Sequence, residues 1–124
     1  MAYRIMIVED EYWNAMEMAT EVEDRGGIVT GPLGSLSEAM DLLHGPERPD
    51  AAILDVNLRG ADILPFADML LRRKIPFVFA TGYDKAILPE RFARVPHFEK
   101  PITLKDCVDT ALALAAGHEA QKAP

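Results

Sequence analysis

The sequence predicts an α/β fold, a doubly wound parallel sheet with helices on both faces. Three observations carry this. Short runs such as Ala51-Ala52-Ile53-Leu54 and Phe77-Val78-Phe79-Ala80 are apolar at every residue. Segments with apolar residues at helical spacing separate these runs. Turn residues mark most junctions. A strand that is apolar on both sides has to be covered on both sides, which is the condition of a parallel sheet between helical layers. Right-handed crossovers then leave few topologies.

Taken in order, residues 4–8 read as a strand, and 11–24 as a helix closed by Gly26 and Gly27. Residues 28–33 form a weaker strand, interrupted by Gly31 and Pro32. Ser35 and Glu38 have the spacing of a capping box, in which each side chain satisfies the other's free backbone amide. Behind it Leu36, Ala39, Met40 and Leu43 fall at i, i+3, i+4 and i+7, one apolar helical face. The strand at 51–54 ends at Asp55, and a helix is expected over 64–74, with Pro65 tolerated in its first turn. Residues 77–80 make the next strand, 84–95 are ambiguous, 98–99 are a short strand, and 103–116 a final helix. Residues 117–124 are small and polar, and read as a frayed, flexible tail.

Bulk properties narrow the function classes. A length of 124 residues suits one domain, so 1–124 is expected to be a single unit. No apolar run approaches the ~20 residues that cross a bilayer, and no secretory leader is expected. The single Cys107 cannot form an internal disulfide, so a cytoplasmic location is expected. A net charge of −7 without a basic stripe argues against nucleic acid. The three histidines, His44, His97 and His118, are not spaced as a metal site.

The chemistry follows from what stands at the strand ends, because ligands in such sheets bind outside the carboxyl edge. Glu9, Asp10 and Glu11 follow the first strand, Asp55 ends the third, Thr81 follows the fourth and Lys100 the fifth. Alone, each has an ordinary role: the acids as a helix start, Asp55 as a turn cap, Thr81 and Lys100 as loop residues. Ordinary roles do not account for four strand ends delivering carboxylates, a hydroxyl and an ammonium to one rim. Those groups suit phosphoryl transfer: carboxylates hold Mg²⁺, an aspartate accepts the phosphoryl group, and hydroxyl and ammonium stabilise its oxygens.

With these residues quoted, the chain resembles the receiver domain of bacterial response regulators over residues 3–116. The matching positions are Ile5 through Glu11, Ile53-Leu54-Asp55 with Asn57 and Gly60, Phe79-Ala80-Thr81, and Lys100-Pro101. The resemblance implies a flavodoxin-like five-stranded parallel sheet of order 2-1-3-4-5 with five helices. It implies Asp55 as phosphoacceptor, and Mg²⁺ held by Glu9, Asp10, Asp55 and the backbone carbonyl of Asn57. Thr81 and Lys100 would contact the phosphoryl oxygens, while Asn57 and Tyr83 would flank the approach of hydrolytic water. Such a domain is no enzyme beyond catalysing its own phosphorylation and dephosphorylation. The motif Phe79-Ala80-Thr81-Gly82-Tyr83 further resembles the FAT GUY subgroup, typically stand-alone receivers of alphaproteobacteria. That subgroup implies a sensor histidine kinase of the HWE and related types, or a histidine phosphotransfer protein, as donor, and a downstream protein as target.

Three positions depart from the family pattern. Arg59 stands where a proline usually precedes Gly60, and His97 stands where an aromatic switch residue is expected. The stretch between Thr81 and Lys100 is short and contains Pro89 and Pro96, so the fourth helix of the family is in question. Residues 82–95 are therefore expected to be a switch segment, and at most a frayed helix. Two other functions share parts of this pattern. A haloacid-dehalogenase-like phosphatase needs a second aspartate two residues after the nucleophile, where this chain has Asn57. A phosphorylation-independent interaction module would not need the acid, threonine and lysine set.

Overall fold

The computed structural model describes residues 2–56, 62–81, 88–99 and 104–122, without the side chains of 81 and 118–122. Five strands, β1 (Arg4–Val8), β2 (Ile28–Leu33), β3 (Ala51–Asp55), β4 (Phe77–Thr81) and β5 (His97–Glu99), form one sheet of order β2-β1-β3-β4-β5. Every neighbouring pair is parallel. Among the described residues the helices are α1 (Tyr12–Asp24), α2 (Leu36–Leu43), α3 (Leu64–Arg72) and α4 (Leu104–Lys122), with a 3-10 turn at Glu90–Phe92. The doubly wound sheet and its order are those expected.

Strand alternation divides the core into two layers. Met6, Val8, Ala52, Leu54, Phe77 and Phe79 face α2, α3 and the 3-10 turn, where Phe66, Leu70 and Phe92 meet them. Ile5, Ile7, Ala51, Ile53, Val78 and Ala80 face α1 and α4, where Met18, Val22, Cys107, Val108 and Ala111 pack. All of β3 is buried, as its apolar composition predicts. Burial pushes the Cys107 thiol up to about 12. At pH 8 a thiol reagent is therefore expected to modify the folded chain at least ~1,000-fold more slowly than a free cysteine. Equal rates in native and urea-unfolded protein would show instead that this layer opens freely.

Helix ends explain most boundary differences. Gly26, at φ +83°, closes α1. Its amide donates to Glu23 O at 2.9 Å and that of Gly27 to Val22 O at 2.9 Å, a Schellman motif. α3 ends two residues before the expected 74 by the same device, with Lys74 at φ 58° in the glycine position. Ile75 N donates to Leu70 O at 2.9 Å and Lys74 N to Leu71 O at 3.1 Å, which offsets the strain of the left-handed lysine. The serine half of the expected capping box is made, Ser35 Oγ accepting from Glu38 N at 3.2 Å. The last helix continues past the expected end at 116 to Lys122. Gly117 costs a helix only about 1 kcal/mol relative to alanine, and the Glu, Ala, Gln and Lys residues that follow are good helix formers.

Residues 88–95, the described part of the expected switch segment, contain no α-helix. Pro89 is extended at φ −56°, ψ 147°, and the chain then makes the single 3-10 turn. Leu88, Phe92 and Val95 pack on the core, so they form no free apolar face. The segment is also clasped to α3. Arg91 donates to both carboxylate oxygens of Asp68, at 2.8 and 3.1 Å. This guanidinium holds the Asp68 carboxyl below the usual range. Residues 82–87 of that expectation lie outside the described residues.

Candidate functional site

β1 and β3 lie side by side in the middle of the sheet, with Val8 opposite Leu54. Their carboxyl ends bring Glu9 and Asp10 beside Asp55. One carboxylate oxygen from each of the three lies within 4.8 Å of the others. Glu9 and Asp55 are almost fully buried, at 2 % and 1 % exposure, and Asp10 is half-buried.

Local backbone explains why these acids converge. The β1–β2 register slips between Met6 and Val8, next to Gly31 at φ +105°. A Cβ there would approach Leu33 N to 2.7 Å, so only glycine fits the bulge. Beyond it Leu33 O accepts from Glu9 N at 3.0 Å, which anchors the first acid. The Glu9 side chain in turn accepts from Glu11 N at 3.1 Å through Oε2. Glu11 points away and caps α1, accepting from Asn14 N at 2.7 Å and Trp13 N at 3.3 Å. Of the acidic triplet, Glu11 therefore serves as the helix start, while Glu9 and Asp10 join Asp55 in the cluster. On the β3 side, Val56 N donates to Ala80 O at 3.3 Å, so the β3–β4 pairing continues past Asp55.

The backbone of Thr81 ends β4, opposite Glu99 on β5. Thr81 thus occupies the same carboxyl edge as the acids. Asn57, Arg59, Gly60, Tyr83 and Lys100 lie outside the described residues. The sequence named all three clustered acids. Residue type alone did not separate the three consecutive acids; the family resemblance did, by leaving Glu11 out of the set.

The cluster suits a hard divalent cation. Oxygens on opposite sides of a cation bound at ~2.1 Å are ~4.2 Å apart, so a small side-chain rotation closes the triangle. Crowded carboxylates also repel one another, which favours a cation between them.

No family model matches the chain. The solution structure of SdrG from Sphingomonas melonis Fr1 is 39% identical, with a TM-score of 0.77, over 93% of this chain and 97% of SdrG. Its BeF3-activated conformation, from Pseudomonas melonis Fr1, is 40% identical, with a TM-score of 0.73 over 90% and 93% of the two chains. The response regulator PhyR from Brucella abortus is 28% identical, with a TM-score of 0.76 over 98% of this chain and 50% of PhyR. The chain belongs to the response regulator receivers. The phyllosphere-induced regulator PhyR of Methylorubrum extorquens is 34% identical over 94 residues, 74% of this receiver. The receiver spans about a third of that protein, 33% of its length. The likeness of Phe79-Ala80-Thr81-Gly82-Tyr83 to the FAT GUY subgroup is consistent with kinship to SdrG and PhyR. Among the described residues no helix is long and apolar enough to cross a membrane.

Proposed function

We propose that this receiver accepts a phosphoryl group on Asp55 from a sensor histidine kinase or a histidine phosphotransfer protein. The phosphorylated state then changes its affinity for a downstream protein. The observation that carries this reading is the convergence of Glu9, Asp10 and Asp55 at the carboxyl edge of the sheet. Glu9, Asp10, Asp55 and the carbonyl of Asn57 are the groups that would hold Mg²⁺. Bound there, Mg²⁺ would neutralise the crowded carboxylates and offset charge on the phosphoryl oxygens. An oxygen of Asp55 attacks phosphorus, the P–N bond to the donor histidine breaks, and an acyl phosphate remains on the chain. Thr81 and Lys100 are assigned to the phosphoryl oxygens, Lys100 by charge and Thr81 through its hydroxyl.

Intact mass after incubation with acetyl phosphate and Mg²⁺ tests this. Wild type is expected to gain one phosphoryl group, and neither Asp55→Ala nor wild type in chelator should gain any. Equal labelling of Asp55→Ala overturns the assignment. Mg²⁺ alone is also expected to stabilise the unphosphorylated chain. At tenfold above its Kd, a cation bound only by the native state adds about 1.4 kcal/mol, an upward shift of several degrees in Tm. A melt that millimolar Mg²⁺ leaves unmoved counts against the metal site.

A further inference from the structure

The amino edge of the sheet, at the opposite end from the three acids, carries a groove. It lies where α3 ends, β4 and β5 begin, and the second half of α4 passes. One part, about 390 Å³, is lined by Lys74 and Gly117 around Leu71, Ile75, Pro76 and Leu114. The other, about 570 Å³, shares those four apolar residues and continues to Arg94 and Pro96. The floor is therefore apolar and continuous, and Leu71 leaves 43% of its surface in water. Lys74 lines only the first part and Arg94 only the second, so each part has its own cation. Both are exposed, and neither forms an ion pair with another described residue. Arg91, also on the groove, is already committed to Asp68. Lys74 has a further peculiarity: it holds the left-handed turn at φ 58°. Glycine would make that turn with less strain. The lysine side chain is thus carried at the rim against the local preference of the backbone.

We propose that this groove docks an acidic amphipathic segment of another protein. Its apolar side chains cover Leu71, Pro76 and Leu114, and its carboxylates meet Lys74 and Arg94. Charge complementarity selects this occupant: in a chain of net charge −7, two uncommitted cations flank an apolar floor. The groove is open to solvent along its length, which suits a chain segment laid across it more than an enclosed small molecule. Burial of the apolar floor supplies most of the affinity, and the two cations fix register and reject basic sequences. The site needs no phosphoryl group and none of the acids at the carboxyl edge, so it goes beyond the receiver reading.

A phage-displayed library of short random peptides, selected on the full unphosphorylated chain, tests it. The enriched peptides are expected to place Asp or Glu on both sides of large apolar residues. Synthetic copies of them should bind roughly three- to fivefold more weakly to Lys74→Gly and to Arg94→Ala, and about tenfold more weakly to the double variant. Leu71→Gln, a change at an exposed position, should weaken them as well. Lys74→Gly relieves the left-handed turn, so it should melt no lower than wild type, which separates lost docking from lost folding. Enrichment of basic or uncharged peptides overturns the proposal, as does the absence of any enrichment. Acidic peptides that bind all three single variants as tightly as wild type overturn it too, because they occupy another surface. Concentration-dependent self-association of the wild-type chain, abolished by Lys74→Gly and Arg94→Ala, would assign the groove to a second copy and overturn the choice of occupant. Asp55→Ala should bind the peptides as wild type does, so failure of the phosphoacceptor assignment leaves this result readable.

Discussion

Asp55→Asn is expected to take up no phosphoryl group and, in chelator, to be more stable than wild type. Both effects come from the same oxygen atoms. Asparagine keeps the size of the side chain and one acceptor, but removes a charge from three carboxylates with oxygens inside 4.8 Å of one another. At that distance, and an effective dielectric near 20, like charges repel by about 3 kcal/mol per pair before relaxation reduces it. A gain of about 1–3 kcal/mol without Mg²⁺ is the expected outcome, seen as a higher urea midpoint with unchanged slope. The stabilisation by Mg²⁺ should shrink or vanish in the same variant. Lys100→Ala, by contrast, keeps the nucleophile and the acid cluster, so it should retain the Mg²⁺ response. An Asp55→Asn protein that is less stable in chelator and still responds fully to Mg²⁺ would show that the cluster is not crowded by charge.

Phe92→Ala is expected to lose about 3–5 kcal/mol, a large share of the 5–15 kcal/mol that holds a typical domain together. Phe92 is 1 % exposed although its neighbours Arg91 and Ala93 are exposed. Its ring meets Phe79 edge-on at 5.4 Å and Phe77 at 6.4 Å, and carries the Arg91 guanidinium 4.7 Å above it. One side chain thus seats the whole 3-10 turn, and its removal leaves a cavity that two rigid strand residues cannot fill. Denaturant unfolding measures the loss directly. A change below ~1 kcal/mol would mean that residues 88–95 detach without consequence for the rest of the fold.

These two sites also mark how far the sequence can be read. β3 was legible because every residue from Ala51 to Leu54 is apolar, and the strand-end chemistry followed from counting one residue further. The close of α1 was legible because Gly26 is the residue a left-handed turn prefers. The end of α3 was not, since Lys74 adopts the same conformation without glycine's freedom, held there by hydrogen bonds to Leu70 and Leu71. The extension of α4 past Gly117 was missed because a glycine that stops one helix is merely tolerated in another. The role of Phe92 stayed open because Pro89 interrupts any periodicity in 84–95, and burial there depends on contacts with β4. The placement of His97 depends on register, which sets it opposite Phe79 and Phe98 opposite Ala80. No local pattern encodes such a pairing.

The separation of the core into two layers has a mechanical consequence. The sheet acts as a bulkhead: α2, α3 and residues 88–95 share one compartment, while α1 and α4 share the other. A shift of Phe92 would be felt first by α3, through Phe77 and Phe79 and through the Arg91–Asp68 clasp. It would reach α1 and α4 only by deforming the strands themselves. A protein gripping the α1–α4 side would therefore hold the same surface before and after such a shift, whereas one gripping α3 and the 3-10 turn would meet two different shapes. One small domain can in this way offer a constant handle on one side and a variable signal on the other.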